Sequence, residues 1–131
     1  GSSQGALARR LKPLGEGLVT LVQELGPLYS DTVILVMSEF GRTVNENGSS
    51  GTDHGHGNVM WVLGGGVRGG QVYGQWPGLD ESELFEKRDL AVPTDFRDVI
   101  SSVLEQHLEI ERSQIARIFS GYSSNRRLAL L

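Results

Sequence analysis

Two continuous apolar runs, at residues 33–37 and 59–63, most constrain how this chain can fold. The first reads Val-Ile-Leu-Val-Met and the second reads Val-Met-Trp-Val-Leu, and neither run alternates with polar residues. Strands with this pattern are typically covered on both faces, as in a parallel sheet packed between helices. The sequence therefore predicts an α/β fold with a mostly parallel sheet and flanking helices.

Leucines recur every three or four residues near the N-terminus, and this spacing predicts a helix over 6–25. The leucine seam consists of Leu7, Leu11, Leu14, Leu18, Leu21 and Leu25. Pro13 removes a backbone donor, so we expect a break near residues 12–13, or a short turn followed by a helix from Leu14. The seam is compatible with a coiled coil, but we favour a helix that covers the sheet.

The second half of the chain predicts two further helices. Apolar residues recur with helical spacing over 96–107, which predicts a helix with Thr94 as its N-cap. We expect a shorter helix over residues 113–119. We expect the apolar tail at 128–131 to dock on the protein. Between these elements we expect a short strand at 71–73, a turn anchored by Trp76, and an exposed charged segment at 80–89.

Composition narrows the classes of partner and site. The chain has 131 residues, which predicts a single domain, and we interpret residues 1–3 as a remnant of an expression tag. Its net charge is −4 and its 12 basic residues are not clustered, which argues against nucleic acid or an anionic membrane as the partner. There is no cysteine for thiol chemistry, and no apolar run approaches the ~20 residues of a membrane span.

Chemically useful side chains follow the first predicted strand and precede the second. Glu39 and Arg42 follow the first, where open α/β sheets bind their ligands. Asp53, His54 and His56 lie in a glycine-rich loop, and imidazole and carboxylate groups bind zinc, manganese or iron. The loop thus predicts a divalent metal site, to which Glu39 could add an oxygen. The alternative is that both histidines are solvated or bonded to local backbone.

Arg42 has two interpretations. A guanidinium at a strand end can hold phosphate, sulfate or carboxylate through two hydrogen bonds. It can equally form a structural ion pair with Glu39 or Asp53.

Four segments together resemble one bacterial protein family. They are Met-Ser-Glu-Phe-Gly-Arg-Thr at 37–43, Gly-Thr-Asp-His-Gly-His-Gly-Asn-Val-Met at 51–60, Val-Leu-Gly-Gly-Gly-Val-Arg-Gly-Gly at 62–70 and Thr-Asp-Phe-Arg-Asp-Val at 94–99. The family is domain of unknown function 1501, whose members are regarded as sulfatase-like proteins exported by the twin-arginine route. The resemblance implies that this chain is the C-terminal portion of a longer parent protein that is periplasmic or secreted.

The resemblance also implies the alkaline-phosphatase and sulfatase superfamily, whose α/β sandwiches carry one or two metals at strand ends. In one alignment, Asp53-His54-Gly55 is the superfamily's Asp-His-Gly motif. In the alignment we favour, residues 38–41 take that place, and His54 or His56 is a later ligand histidine. Glu39 then replaces a ligand aspartate, and Phe40 replaces a ligand histidine although phenylalanine cannot bind metal.

The function implied is metal-dependent hydrolysis of a small sulfate or phosphate ester by the parent. Asp53, His54 and His56 would be metal ligands, Glu39 a ligand or base, and Arg42 an anion contact. The superfamily's nucleophile lies in its N-terminal part, so we expect this portion to be inactive alone. We also expect it either to dimerise through an exposed sheet edge or to have a compensating arrangement. The alternative is a non-catalytic binding or structural module with a degenerate metal site.

Overall fold

The structure is a computed structural model that describes residues 5–123 and 126–131. In chain order its main elements are α1 (Ala6–Leu25), β1 (Val33–Val36), β2 (Gly41–Arg42), β3 (His54–Gly55), β4 (Trp61–Gly64), α2 (Phe96–His107) and α3 (Arg112–Ile118). Short 3-10 turns occupy Gly26–Asp31 and Glu81–Glu83. This mixture of helices and strands fits the predicted α/β class. Within this part of the chain, no helix is long and apolar enough to cross a membrane.

The chain divides into two compact units. The described part of the first unit comprises residues 5–29, 38–59 and 77–91, and the second comprises 30–37, 60–76 and the described residues from 92 onwards. All of the predicted site residues belong to the first unit, whereas the main apolar core belongs to the second.

The two apolar runs form neighbouring strands, but these strands are antiparallel. β1 pairs with β4 in the register Val33↔Gly64 to Val36↔Trp61, and β2 pairs with β3 in the same antiparallel sense. The predicted parallel pairing is therefore not met by the described strands. All four residues of β1 are partly buried. An apolar run of this kind indicates that both faces of the strand are covered, but it does not determine whether the strand pairs in a parallel or an antiparallel sense.

Helix α2 packs the core of the second unit. Its residues Val99 and Val103 are buried together with Leu128 and Leu130. Alternate residues of the strand pair pack on this cluster from one sheet face: Val33, Leu35, Met60 and Val62. The N-cap of α2 is Asp95, whose side chain accepts a hydrogen bond from the Arg97 N–H, so the prediction of Thr94 was wrong by one residue. A carboxylate there is favoured because it also faces the positive end of the helix.

The C-terminal tail docks, as predicted. The Gln106 side chain donates to the Leu128 carbonyl at 2.6 Å and accepts from the Leu131 N–H at 3.2 Å. Ser102 Oγ accepts from the Leu128 N–H at 3.0 Å, and the Arg68 N–H donates to the Leu130 carbonyl at 2.8 Å. The tail is thus fixed by its backbone as well as by its leucines.

Helix α1 is uninterrupted, so the break predicted near residues 12–13 does not occur. Pro13 removes one hydrogen bond, but its fixed φ is compatible with a helix and the remaining turns hold the segment. None of the twenty residues of α1 is buried.

Two smaller predictions for the second unit were wrong. Residues 71–73 form no strand, and Trp76 does not anchor its turn because its side chain is 70% exposed.

Candidate functional site

The site residues lie on backbone segments that only glycine allows to come together. β2 and β3 pair through Gly41↔Gly55 and Arg42↔His54, and the Arg42 N–H donates to the Gly57 carbonyl at 3.1 Å. A Cβ atom on Gly41, Gly55 or Gly57 would overlap neighbouring backbone atoms. The glycines of this region are therefore required by close backbone packing around Arg42 and His54.

Asn47 orders the loop between β2 and β3. Its side-chain oxygen accepts from the N–H groups of Ser49 and Gly51 at 3.0 and 3.1 Å. Its side-chain nitrogen donates to Asp53 Oδ1 at 2.9 Å, and Thr43 Oγ1 accepts from the Asp53 N–H at 3.1 Å. The side chain of Asn47 therefore both stabilises the turn and holds the Asp53 carboxylate in place.

Arg42, Thr52, Asp53 and His54 line an open depression at this end of the loop. Arg42 Nη1 donates to the Thr52 carbonyl at 3.0 Å. Within residues 5–123 and 126–131, Arg42 forms no ion pair with Glu39 or Asp53. Arg42 thus brings a positive charge, uncompensated by direct ion pairing, to the depression.

His54 is held by a ring contact, and its imidazole has no polar partner among the described residues. Its imidazole stacks on the Phe40 ring, with centroids 4.5 Å apart and planes inclined by 7°. The Phe40 carbonyl accepts from Asn58 Nδ2 at 2.8 Å, which ties this phenylalanine to the far end of the loop. Phe40, which cannot bind metal itself, therefore holds a predicted ligand histidine in place.

His56 has different surroundings from His54. Its ring stacks on Phe85, with centroids 3.8 Å apart and planes inclined by 13°, and its backbone helps to lower the pKa of the Asp89 carboxyl. Asp89 also accepts two hydrogen bonds from the Arg88 guanidinium, at 2.7 and 3.2 Å. His56 thus belongs to a cluster that also comprises Phe85, Arg88 and Asp89.

Asp89 is the site residue that sequence reasoning missed. The segment 80–89 was predicted to be exposed, but Asp89 is only 3% exposed. Its hydrogen bonds from Arg88 lower the pKa of the Asp89 carboxyl, although burial acts in the opposite direction. The available signal was its place directly before the apolar residues Leu90 and Ala91, which are half-buried.

The predicted metal ligands have different surroundings in the described part of the protein. Glu39 is exposed and makes no hydrogen bond or ion pair with any described residue. Across those same residues, no three His, Asp or Glu side chains form a group that could hold a metal ion. His54 and His56 stack on different phenylalanines, so a metal bound by either histidine would need further ligands from outside this group.

The sequence matches one protein family over residues 1–119, a family described as protein of unknown function (DUF1501). The chain belongs to this family. The DUF1501 match includes Arg42, Asp53, His54, His56 and Asp89, and it confirms the family membership expected from the motifs. No curated protein and no solved structure matches the chain.

Proposed function

We propose that this chain supplies the anion-binding part of a site that hydrolyses small sulfate or phosphate esters in a longer, exported parent protein. The parent would belong to the alkaline-phosphatase and sulfatase superfamily, and further strands would make its sheet mostly parallel. The observation that carries the proposal is Arg42, which brings an uncompensated guanidinium to an open depression. The chain alone lacks a nucleophile under this proposal and does not turn over.

The chemistry of the guanidinium supports an oxyanion ligand. Arginine has five N–H donors in a planar fork that matches the oxygens of sulfate and phosphate. One of these donors is used by the Thr52 carbonyl, and the backbone of Arg42 is held on both sides, by Gly57 and Leu90. A fixed backbone with free donors reduces the entropy lost when an anion binds.

The side chains of this chain restrict how a metal could be bound in the parent. Zinc, manganese or iron would take Asp53, His54 or His56 singly or in pairs, with the other ligands coming from elsewhere in the parent. A bound metal would supply Lewis-acid stabilisation of the ester and activation of a nucleophile. Arg42 would orient the anionic group whether or not a metal is bound.

The second candidate function is a non-catalytic module that binds anions or supports the parent's structure. Phe40 favours it, because this side chain takes the place of a ligand histidine in the preferred alignment and stacks on His54. A site that has exchanged a ligand for an aromatic support can still bind an anion without catalysing hydrolysis.

The test is titration of the isotope-labelled chain with inorganic sulfate and inorganic phosphate, followed by amide chemical shifts. We expect saturable shifts at residues 42–54, their loss in Arg42→Ala, and partial retention in Arg42→Lys. Arg117→Ala is the matched control, because Arg117 is exposed and has no bonded partner among the described residues. Equal binding by Arg42→Ala and the wild type would contradict the proposal.

Turnover by the parent separates the two candidates. Aryl sulfate and aryl phosphate hydrolysis by the parent, lost in Arg42→Ala, supports the hydrolase. Sulfate or phosphate binding without hydrolysis of either ester supports the binding module.

A further inference from the structure

The leucine seam of helix α1 has the spacing of a coiled-coil interface. Its leucines alternate at intervals of four and three residues from Leu7 to Leu25, which places them at the a and d positions of a heptad. A coiled-coil seam has apolar residues at a and d, and in α1 this seam is extended on one side by Ala8 and Val22 at e positions. Because α1 is a single uninterrupted helix, the seam stays on one face throughout.

Most of the seam is open. Leu7 is 57% exposed, Leu11 is 44%, and Leu14 and Leu21 are 43% each. Leu18 and Leu25 are half-buried. A continuous apolar stripe with this much exposure on a 20-residue helix marks an interaction surface.

The charges beside the leucine seam favour pairing with α1 of a second copy of this chain, with the two helices antiparallel. With the leucines at a and d, the g positions are Arg10, Gly17 and Glu24, and the e positions are Ala8, Gly15 and Val22. Neither Arg10 nor Glu24 forms an ion pair with any residue that the structure describes. Position g faces g in an antiparallel pair, so Arg10 of each copy would meet Glu24 of the other copy.

A parallel pair lacks this complementarity. There, position g faces e of the other copy, which would set Arg10 against Gly15 and Gly17 against Val22. The antiparallel register also matches every leucine, as Leu7 with Leu25, Leu11 with Leu21 and Leu14 with Leu18. Gly15 and Gly17 then lie beside the two-fold axis, where the absence of side chains allows the helices to approach closely.

We propose that α1 is a self-association surface, and that it pairs with α1 of a second copy of this chain in an antiparallel, two-fold symmetric coiled coil. The interface is isologous, because the same leucines and the same two charges serve both copies. This inference goes beyond the anion site and does not depend on it.

Charge reversal tests the proposal by sedimentation equilibrium of the whole chain. We expect a dimer whose dissociation constant rises about tenfold in Arg10→Glu and in Glu24→Arg, because each change sets like charges against each other twice. The double variant Arg10→Glu/Glu24→Arg restores the pairs and returns the constant close to that of the wild type. Lys12→Glu is the control for charge reversal on α1 outside the seam; it breaks the exposed Lys12–Glu16 pair and should leave the dissociation constant unchanged.

Cysteine cross-linking tests the direction, and it is clean because the chain contains no cysteine. In the antiparallel register Leu14 faces Leu18, so a mixture of Leu14→Cys and Leu18→Cys chains should form a disulfide between the two variants. Leu14→Cys alone should not cross-link efficiently. A parallel pair would instead link Leu14→Cys to itself.

Three outcomes would overturn the proposal. They are a wild-type chain that stays monomeric at high concentration, a dimer unaffected by Arg10→Glu, and efficient self-linking of Leu14→Cys. An unaffected dimer would place the interface on another surface, such as a sheet edge. Circular dichroism of each variant shows whether α1 remains helical, so a loss of pairing is not confused with unfolding.

Discussion

At the residue scale, the role of Asp89 follows from its surroundings. The carboxylate is almost completely buried, yet it accepts two hydrogen bonds from the Arg88 guanidinium. A buried carboxylate is tolerated when its oxygens are bonded and its charge is paired. The pKa of Asp89 is lowered mainly by Arg88 and also by the nearby His56, whose ring stacks on Phe85.

The lowered pKa of Asp89 predicts how stability depends on pH. Because the folded-state pKa lies below the unfolded value, the carboxylate stabilises the protein at neutral pH, and this contribution is lost as pH falls through the lowered pKa. Asp89→Asn should lower the free energy of unfolding at neutral pH. Between neutral pH and about pH 3, the free energy of unfolding should fall less in this variant than in the wild type. Denaturant unfolding at both pH values measures this.

Asp31→Asn is the control for this prediction, since Asp31 is exposed and has no bonded partner among the described residues. The pKa of Asp95 is also lowered by Arg97, so acid destabilises every variant through Asp95 to the same extent. The role of Asp89 is therefore measured by the difference between each variant's pH profile and that of the wild type. Identical pH profiles for Asp89→Asn and the wild type would contradict the role assigned to Asp89.

Two adjacent serines in α2 should respond in opposite ways to alanine. The hydroxyl of Ser101 is buried without a hydrogen-bond partner in the described structure, so Ser101→Ala should raise the free energy of unfolding by about 1 kcal/mol. Ser102 Oγ donates to the Asp98 carbonyl at 2.7 Å and accepts from the Leu128 N–H. Ser102→Ala should therefore lower it by about 1–3 kcal/mol.

Each serine is the control for the other, because the two variants remove the same group from the same helix. Chemical denaturation of both variants supplies the measurement. A loss of stability in Ser101→Ala as large as that in Ser102→Ala would show that Ser101 makes a favourable contact.

At the element scale, the pairing of β2 with β3 depends on the absence of side chains at the crossing points. A Cβ atom on Gly55 would overlap the backbone of Arg42 and Thr43, so Gly55→Ala should lower the free energy of unfolding by about 1–3 kcal/mol. It should also broaden or shift the amide signals of residues 42–54. Gly48→Ala in the same loop has open space around its Cβ and should have little effect on either measurement. Equal effects of the two variants would rule out this packing.

Elements with strong periodicity could be predicted from the sequence, whereas short pairings could not. The spacing of the leucines gave α1, and the apolar runs gave β1 and β4 to within two residues at each end. Strands β2 and β3 have only two residues each, too few for any period to be visible, and their pairing depends on contacts between distant glycines.

The candidate site shows the same division. The loop residues 53–56 were identified from their chemistry, and Arg42 and His54 do line one depression. The separation of His54 from His56 was not visible in the sequence, because it results from stacking on Phe40 and Phe85, which lie far apart in the chain. The burial of Asp89 likewise depends on Arg88 and on the backbone of His56.

At the scale of the whole molecule, the core of the second unit is completed by the C-terminal tail. Leu130 is 1% exposed and packs with Val99 and Val103, so Leu130→Ala should lower the free energy of unfolding by about 2–5 kcal/mol. Leu108→Ala, at a position 56% exposed, should change it by less than about 0.5 kcal/mol. Thermal and denaturant unfolding of the two variants test whether the tail is integral to the core.

The division into two units carries a consequence for how the gene can change. The chain passes from one unit to the other five times between residues 29 and 92. Neither unit is therefore encoded by one continuous stretch of the gene. A single recombination breakpoint consequently cannot replace one whole unit by a homologous copy and leave the other unit unchanged. In a chimaera of two homologues joined anywhere between residues 30 and 91, each unit contains segments from both parents. Both units must therefore remain stable with mixed sequences for such a chimaera to fold.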